Sequence, residues 1–493
     1  MMKRILQTIL LCAGFCACTQ TAEREQPKAA APVLVSTSPE NGASDIETGT
    51  ISVVFTYDQN VKCSLVNLDR ITVSGGATIV KKNCYGATMT VDLEGLEYET
   101  TYCVTLPQGC IEGYKDNQEA AVQASVSFTT MAKPVVPHGD GPLQPGTDEA
   151  GWENAAQCAA SMGPGWSLGN SLDANGSWIS GGVENWEKAW GQPVTKKALI
   201  QMFADAGFKA IRVPVTWNEH MDTEGNVDEA WMARVQEVVN YVIDCGMYCI
   251  LNVHHDTGAD SDSFKAWLHA DESVYTSVKD RYRKLWDQIA RRFGSYSEKL
   301  VFEAFNEMLD KGNHWDNPSN DASYDVINKF NADFVEVVRS TGGNNARRNL
   351  ILAVYGASTS EKTLKAFVRP TDSVQDHLLV EVHNYGPYNF AMNEGTGAIT
   401  EFTAACEKEI DTMFERLNSC IVEYGLPVVM GEYGVTASRA ESEAIKQAQC
   451  YIRNGRKYNI PCFTWMMLSD GSDRDVPQWT KAKLKDAIIK AYK

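Results

Sequence analysis

The fold is decided by a run of mostly apolar residues that ends on a glutamate, Leu300-Val301-Phe302-Glu303-Ala304-Phe305-Asn306-Glu307. Similar apolar runs occur on both sides of it, and helical patterns lie between most of them. Eight runs can be marked in all, over residues 166–172, 209–215, 248–255, 300–307, 350–356, 378–385, 427–434 and 462–468. Strands that alternate with helices in this way predict an α/β fold, a (β/α)8 barrel.

Polar residues collect at the ends of these runs. The functional residues of a (β/α)8 barrel lie at the carboxyl ends of its strands, where they face one cavity. The residues in this position are Asn170, Arg212, His254, Glu307, His383, Glu432 and Trp465. We therefore expect the functional site at this end of the barrel.

Two of these residues are glutamates within short, distinctive strings. Glu307 lies in Phe305-Asn306-Glu307-Met308, and Glu432 lies in Gly431-Glu432-Tyr433-Gly434. One such glutamate alone is more often a helix cap or part of a surface ion pair. Two carboxyl groups in one cavity, however, are the arrangement that flanks and cleaves a glycosidic bond. The pair therefore indicates glycoside hydrolysis.

Arg212 is a charged residue within an apolar run, between Ile211 and Val213. A charge that is buried without a partner is costly, so the guanidinium needs a carboxylate. We expect that carboxylate to be Glu432, because a nearby cation lowers the pKa of a carboxyl group and keeps it ionised. A structural ion pair elsewhere in the barrel is the alternative.

Histidines near the strand ends raise the question of a metal site. His254, His255 and Asp256 are consecutive, and His383 ends a later run. A zinc protease would need the helical HExxH spacing, which the sequence lacks. We expect the histidines to hydrogen-bond sugar hydroxyls or the two carboxyl groups, and we predict neither a metal nor a cofactor.

Tryptophans are numerous after residue 150. Trp465 ends the eighth run, and its flat face is suited to stacking on a sugar ring. The loop tryptophans are further candidates, with core packing as the alternative for each: Trp178, Trp190, Trp217, Trp267, Trp315 and Trp479.

The segment from 32 to 130 has a different pattern, with short alternating strands such as Ile51-Ser52-Val53-Val54-Phe55 separated by turns. This pattern predicts a small all-β sandwich. Its opening Ser38-Pro39-Glu40-Asn41-Gly42 and closing Phe128-Thr129-Thr130 resemble bacterial Ig-like domains, either as a spacer or as a sugar-binding module. Residues 131–147 are rich in Pro and Gly and are predicted to be a linker to the barrel at 148–493.

The first 18 residues have the pattern of a signal peptide: Lys3-Arg4 precedes an apolar run too short to span a bilayer. Cys18, which follows Ala17, resembles the lipidated cysteine of bacterial lipoproteins, and a plain cleavable signal is the alternative. We expect an exported protein that is lipid-anchored at the outer membrane or secreted.

The formal net charge of −18 disfavours nucleic acid as a partner, because phosphate binding needs a basic surface. A neutral polysaccharide is compatible with it. We expect the chain to act as a monomer.

From Gly165 to Trp465 the sequence resembles family 5 glycoside hydrolases, in the branch that contains endoglucanases and xyloglucanases. The resemblance is carried by Arg212 in RVPV, His254 and His255 in NVHHD, Asn306 and Glu307 in FNE, His383 and Tyr385 in HNY, Glu432 in GEYG and Trp465 in FTWMM. It implies a retaining mechanism in which Glu307 is the acid/base and Glu432 the nucleophile. It further implies that Asn306 holds the sugar 2-hydroxyl, that Tyr385 lies near the nucleophile oxygen, and that His254 and His383 support substrate and carboxyls.

The implied substrate is a β-1,4-linked glucan that is cleaved within the chain: cellulose-like, mixed-linkage or xyloglucan. Two alternatives stay open, an endo-β-1,4-mannanase of the same family and a catalytically inactive lipoprotein that binds carbohydrate. Many members of the branch have Asp-Asn after the last tryptophan, whereas this chain has Met466-Met467. The substrate preference is therefore open.

Overall fold

A computed structural model describes residues 28–115, 118–131, 141–465 and 472–493. The chain divides into two compact units, Met1–Val135 and Val136–Lys493. The division falls inside the segment predicted to be a linker. The predicted signal peptide, Cys18 and the Met466-Met467 pair lie outside the described residues.

The first unit is built from short strands. They are β1 (Leu34–Ser38), β2 (Ala43–Ile46), β3 (Ile51–Tyr57), β4 (Val61–Cys63), β5 (Thr72–Val73), β6 (Thr78–Tyr85), β7 (Thr88–Glu94), β8 (Thr101–Leu106), β9 (Ile111–Gly113) and β10 (Ala124–Thr130). One sheet has the order β1-β3-β7-β6 and the other β2-β10-β8-β5, while β4 and β9 form a separate ribbon. Neighbouring strands are antiparallel, except that β2 and β10 are parallel. A 3₁₀ turn spans Leu68–Arg70.

The alternation in the sequence explains this sandwich, because every second residue of a strand faces the same side. Phe55 is paired with Met89 across β3 and β7, and both are fully buried. Val104 is paired with Val126 across β8 and β10, and both are again fully buried. The inward residues of the two sheets form one core, which confirms the predicted β-sandwich.

The second unit contains a closed barrel of parallel strands. They are β11 (Gly165–Ser167), β12 (Ala210–Val213), β13 (Tyr248–Asn252), β14 (Leu300–Glu303), β15 (Leu350–Ala353), β16 (Leu378–His383), β17 (Val428–Tyr433) and β18 (Cys462–Trp465). Each strand pairs with the next along the chain, and β18 pairs with β11 to close the barrel. Each of the eight predicted runs contains one strand, so the predicted (β/α)8 barrel is confirmed.

Helices connect the strands. In the described residues they are α1 (Ala155–Met162), α2 (Val183–Lys188), α3 (Lys197–Ala206), α4 (Glu229–Asp244), α5 (Glu272–Arg292), α6 (Ala322–Ser340), α7 (Glu361–Ala366), α8 (Tyr388–Ala391), α9 (Ala404–Cys420), α10 (Glu441–Tyr458) and α11 (Ala482–Tyr492). Short 3₁₀ turns span Asn218–His220, Gly343–Ala346, Tyr355–Ala357 and Val422–Tyr424. A small hairpin pairs β19 (Ser472–Asp473) with β20 (Gln478–Trp479).

Helix signals in the sequence explain the longer helices. The side chain of Asp228 caps α4 by accepting from the backbone N–H of Trp231, and Asp271 caps α5 in the same way. In α5 the buried residues recur at helical spacing, as in Tyr282, Leu285, Trp286 and Ile289, so one face packs on the barrel. Among the described residues, none of the helices combines the length and the apolar character needed to cross a membrane.

The inside of the barrel changes character along its axis. Its lower part is apolar, and α1 packs against it in a single cluster whose barrel members include Ala210, Ile250, Val301, Ile351, Leu379, Val429 and Phe463. Two residues further along four of these strands, the buried side chains are polar: Arg212, Asn252, Glu303 and Glu381. The apolar plug therefore supports a polar layer at the carboxyl ends of the strands.

Candidate active site

The register between β16 and β17 places two functional residues side by side. The pairing shifts between Val382 and His383, so that His383 lies opposite Glu432. Both side chains are then directed to the carboxyl end of the barrel, and both are almost completely buried. Glu307 lies just beyond β14, with 21% of its side chain exposed, and reaches the same place.

The two predicted glutamates meet at His383. Its Nδ1 lies 2.8 Å from Oε1 of Glu307 and 3.7 Å from Oε1 of Glu432. One carboxylate oxygen of Glu307 and one of Glu432 lie within 4.8 Å of each other. The structure thus brings both carboxyl groups into one cavity.

Both oxygens of Glu432 accept hydrogen bonds. Arg212 donates to Oε1 from Nη1 at 2.8 Å, and the Tyr385 hydroxyl donates to Oε2 at 2.6 Å. The first contact is the one expected for a cation on an apolar strand, and the second places Tyr385 at the oxygen named by the resemblance. The Glu432 carboxylate is therefore held in one orientation.

Arg212 has more partners than the sequence suggested. It is fully buried, donates to both oxygens of Glu303 at 2.8 and 2.7 Å, and lies 3.2 Å from Oε1 of Glu381. It also donates to Oδ1 of Asn306 at 2.9 Å, which leaves the amide NH2 of Asn306 to donate elsewhere. Glu303 and Glu381 are buried partners of Arg212 that sequence reasoning missed.

A usable signal for these two glutamates was present. Glu303 ends the apolar β14 and is followed by Ala304 and Phe305, while Glu381 lies inside the apolar β16 as Arg212 lies inside β12. A charge on an apolar strand needs a buried partner, whichever its sign. The same rule that selected Arg212 therefore selects both glutamates.

Arg212 was expected to lower the pKa of Glu432, but the net shift of that pKa is upward. Burial raises the pKa of the Glu432 carboxyl above its ordinary value of 4.5, and the charge of Glu307 adds to the rise. His383, Arg212 and the Tyr385 hydroxyl oppose it but do not reverse it. Arg212 lowers the pKa as expected, but burial has the larger effect because the carboxyl is almost without solvent.

The histidines differ in charge. Burial lowers the pKa of His383, but Glu432, Glu381 and Glu307 outweigh burial, and the pKa lies well above the ordinary value. Burial lowers the pKa of His254 well below that value and the pKa of His255 to about 4. His383 is therefore a charged imidazolium in the site, while His254 and His255 are neutral.

His254 and Trp465 form one wall of the cavity. Their rings are stacked with centroids 5.6 Å apart and an angle of 6° between planes, and Nε2 of His254 lies 4.0 Å from Oε1 of Glu432. His255 packs on His254 and on Trp190, and its Nε2 is 3.8 Å from Asp173. The half-buried Trp465 is thus next to the reacting carboxyls.

Asn170 lies in the loop after β11 in a left-handed conformation, with φ of 59°. Its backbone is hydrogen-bonded to the carboxylate of Asp173, which also accepts from Ser171 N–H at 2.7 Å. Asparagine adopts this conformation more readily than most residues. The turn brings Asp173 beneath His255.

Trp190 packs on His255 and Trp267 donates to Asp256, and the other four loop tryptophans separate into two sets. Trp217 is fully buried, and Trp479 packs on Phe203 and Phe208, so both belong to the packing of the barrel wall. Trp178 and Trp315 are 59% and 50% exposed and lie on loops that follow β11 and β14. These two remain candidates for sugar contacts.

Two groups of described residues have ligand-type atoms close enough to hold a cation, with spacings within 4.8 Å: Asp173, His254 and His255, and Glu307, His383 and Glu432. In the second group, both ring nitrogens of His383 face carboxylates, Glu307 on one side and Glu381 on the other. A charged imidazole has no lone pair for a metal. Proximity alone does not make the first group a metal site, and we assign no metal ligand.

Comparisons with known proteins agree with this geometry. A family model described as cellulase (glycosyl hydrolase family 5) matches residues 172–471, and a model described as a bacterial Ig-like domain matches residues 28–130. Endoglucanase A of Clostridium longisporum is 34% identical over 358 residues, which are 70% of this chain and 67% of that protein. Endoglucanase B of Ruminococcus albus is 38% identical, over 69% of this chain and 81% of that protein.

Solved structures of similar enzymes also align with this chain. A family 5 enzyme from Prevotella bryantii, crystallised with a xyloglucan tetradecasaccharide, aligns with a TM-score of 0.65 at 40% identity, over 69% of this chain and 99% of its own. A broad-specificity endoglucanase from Ruminococcus champanellensis with bound cellotriose aligns with a TM-score of 0.64 at 38% identity, over 68% and 98%. This chain is therefore a glycoside hydrolase that belongs to glycosyl hydrolase family 5, with a bacterial Ig-like domain ahead of its barrel.

Proposed function

We propose that the protein cleaves β-1,4-linked glucan chains internally, by double displacement with retention of configuration. The observation that carries the proposal is the short distance between carboxylate oxygens of Glu307 and Glu432, within 4.8 Å. Retaining glycosidases hold their two carboxyl groups about 5–5.5 Å apart, whereas inverting enzymes need about 6.5–9.5 Å to admit a water molecule. The spacing supports direct attack by one carboxylate.

In the first step Glu432 attacks the anomeric carbon and Glu307 gives its proton to the departing glycosidic oxygen. The bond from carbon to that oxygen breaks as the ester bond to Glu432 forms, and the leaving chain departs as an alcohol. Glu307 suits the acid role because it is more exposed than Glu432 and borders the cavity. Glu432 suits the nucleophile role because Arg212 and Tyr385 fix both of its oxygens.

In the second step Glu307, now ionised, removes a proton from water. The resulting oxygen attacks the anomeric carbon from the side that the leaving chain occupied, and the ester bond to Glu432 breaks. Glu307 regains its proton and Glu432 its charge, so the enzyme returns to its starting state. Asn306 supports both steps, since its amide NH2 is free of Arg212 and can donate to the sugar 2-hydroxyl.

The substrate class is supported by the relatives and by the cavity wall. The Prevotella bryantii enzyme was solved with a xyloglucan oligosaccharide and the Ruminococcus champanellensis enzyme with cellotriose. Both ligands have a β-1,4-linked glucose backbone. In this chain the Trp465 ring, stacked on His254, offers a flat face next to the carboxyls for such a ring.

A panel of soluble polysaccharides tests the proposal: barley β-glucan, carboxymethylcellulose, xyloglucan, glucomannan, galactomannan and xylan, with the release of reducing ends as the readout. Glu432→Ala is the control, because it removes the nucleophilic carboxylate and leaves Arg212 unchanged. Cleavage of the glucans by the parent alone is expected. Cleavage confined to the mannans would replace the proposal by a mannanase, and binding without any cleavage would indicate a carbohydrate-binding protein.

Two further proposals concern the oligomeric state and the location of the protein. We propose that a monomer is active, because Arg212, Tyr385 and His383 complete the surroundings of Glu432 without a contribution from a second subunit. We further propose that Cys18 becomes the lipidated N-terminus of the mature protein, which would anchor the enzyme at the outer membrane. Growth with labelled palmitate should label the parent and not Cys18→Ala. Equal labelling of both would exclude the anchor.

A further inference from the structure

A second pair of carboxyl groups lies beneath the reacting pair. Glu303 on β14 and Glu381 on β16 are 0% and 1% exposed, and neither reaches the cavity where a sugar would bind. Burial of two carboxyl groups is costly unless their charge is offset. The double displacement described above assigns no role to either of them.

The two buried glutamates share one cation but differ in their other contact. Nε of Arg212 lies 2.8 Å from Oε2 of Glu303 and 3.2 Å from Oε1 of Glu381. Glu303 also accepts a hydrogen bond from the amide of Asn252 at 2.7 Å, and it shares a hydrogen bond with Glu381. The remaining partner of Glu381 is Nε2 of His383, at 3.0 Å. Of these two glutamates, Glu381 is the one in direct contact with His383.

The absence of a side chain at Gly431 leaves room for the Glu381 carboxylate. A Cβ atom at Gly431 would lie 1.7 Å from Oε1 of Glu381, so no side chain fits there. Gly431 directly precedes Glu432 on β17. The Glu381 carboxylate thus fills the space under the nucleophile's own backbone, held between Arg212 and His383.

The charges of the cluster can be counted. The charged and titratable groups that face it from the surrounding strands are Arg212 on β12, His254 and His255 after β13, Glu303 and Glu307 on and after β14, Glu381, His383 and Tyr385 on and after β16, and Glu432 on β17. Burial raises the pKa of Tyr385 well above its usual value, and His254 is neutral. Two cations, Arg212 and His383, therefore face four carboxyl groups.

The two buried carboxyl groups, Glu303 and Glu381, differ in the direction of their pKa shifts. Burial and the neighbouring Glu381 raise the pKa of Glu303 to about 7, although Arg212 opposes the rise. Burial also acts on Glu381, but Arg212 and His383 outweigh it and lower its pKa. The two cations therefore favour the ionised form of Glu381, while burial and Glu381 itself favour the neutral form of Glu303.

We propose that Glu381 is a positioning residue, which accepts the Nε2–H of His383 and keeps the ring charged, so that its Nδ1–H stays directed at both reacting carboxyls. This inference rests on the proposed double displacement. In the first step negative charge leaves Glu432, which becomes an ester, and appears on Glu307, which has lost its proton. A charged His383 lies within 2.8 and 3.7 Å of the two and stabilises both arrangements without moving.

The matched variants Glu381→Gln and Glu303→Gln test the proposal in the full chain. Both substitutions keep the side-chain shape and remove the possibility of negative charge next to Arg212. Burial favours the neutral form of Glu303, which glutamine resembles, so Glu303→Gln should leave catalysis within a few fold. Glu381→Gln should lower kcat roughly 10- to 100-fold with little change in KM, the range that losing the partner behind a functional histidine costs elsewhere.

The decisive readout is the titration of His383 by NMR with ¹⁵N-labelled histidine. The chain has eight histidines, and the His383 signal is identified by its loss in His383→Asn. In the parent and in Glu303→Gln the ring should stay doubly protonated through neutral pH. In Glu381→Gln the midpoint of His383 should move to lower pH.

Several outcomes overturn the proposal. A neutral His383 in the parent at neutral pH is one, and this measurement needs no variant to fold. An unchanged His383 titration in Glu381→Gln is another, since it would leave Glu381 a packing role. A lower titration midpoint of His383 in both Glu381→Gln and Glu303→Gln would show that the two glutamates do not differ in their effect on the ring. These titrations need no substrate, so a failure of the glucanase assignment would appear separately, as a parent that cleaves no polysaccharide.

Discussion

Glu432 is the residue at which opposing effects are most nearly balanced. Its nucleophilic role requires the ionised form, yet burial favours the neutral form and raises its pKa. Arg212, His383 and the Tyr385 hydroxyl each favour the ionised form. The hydrogen bonds that orient the carboxylate are therefore also those that keep its charge available in the working pH range.

The pH dependence of activity should follow from this balance. Glu432 must lose its proton, so kcat/KM rises as the pH passes its pKa, and the acid limb of the profile should lie above pH 4.5. Tyr385→Phe removes a hydrogen bond that favours the ionised form, which should shift the acid limb to higher pH and lower kcat/KM roughly 10- to 100-fold. The exposed Tyr388 supplies the control, since Tyr388→Phe should change neither quantity. An acid limb that stays in place in Tyr385→Phe would contradict this account of Glu432.

Arg212 should matter for stability as well as for activity. Arg212→Met leaves the carboxylates around it buried without their cation, and breaking one side of a buried ion pair costs about 3–5 kcal/mol. Urea unfolding followed by tryptophan fluorescence measures this loss in the barrel alone, because all 12 tryptophans follow residue 150. The exposed Arg291, paired with Asp287, is the control, and Arg291→Ala should leave the transition almost unchanged. Equal transitions for the two variants would show that the Arg212 network does not stabilise the fold.

The sequence identified the residues at the strand ends but not those behind them. Arg212, His383, Tyr385 and Glu432 could be named because they lie in distinctive strings at the ends of apolar runs. The distances between these residues and the direction in which the pKa of Glu432 shifts could not be predicted, because both depend on how deeply the closed barrel buries the site. Glu381 was missed, although it carries the signal that identified Arg212, a charge inside an apolar run.

At the level of elements, the barrel strands explain why the site is so compact. The shifted pairing of β16 and β17 places His383 opposite Glu432, and Gly431 allows Glu381 to lie beneath them. The apolar runs predicted each strand because burial on both faces leaves a continuous apolar pattern. The shift in pairing was not predictable, since it depends on the backbone of two strands far apart in the chain.

A methyl group at Gly431 tests this arrangement. Gly431→Ala places a Cβ atom against Glu381, so either the carboxylate moves or the strands separate. We expect a loss of about 1–3 kcal/mol of unfolding free energy, as for other overpacked cores, together with a fall in kcat. Gly182→Ala is the control, because a Cβ atom at Gly182 meets nothing within 4 Å. Full activity and stability in Gly431→Ala would show that Glu381 can leave this position without effect.

At the scale of the whole molecule, the two units have separate cores and separate chemistry. The sandwich core is formed by residues between 53 and 128, while the site residues lie between 170 and 465. A shortened chain without the sandwich should therefore fold and hydrolyse soluble barley β-glucan with kcat/KM within a few fold of the full chain. It should begin at Gly141, because Leu143 packs against the lower barrel cluster and Asn154 donates to the backbone of Gln144. A folded but inactive shortened chain would give the Ig-like domain a part in catalysis.

The stereochemistry of hydrolysis tests the central claim most directly. Proton NMR during cleavage of a soluble β-1,4-gluco-oligosaccharide by the full chain distinguishes the anomers of the new reducing end before they interconvert. Double displacement through Glu432 predicts that the β-anomer appears first and that the α-anomer grows only later, by mutarotation. First appearance of the α-anomer would show that water attacks directly, which would contradict the assignment of Glu432 as the nucleophile.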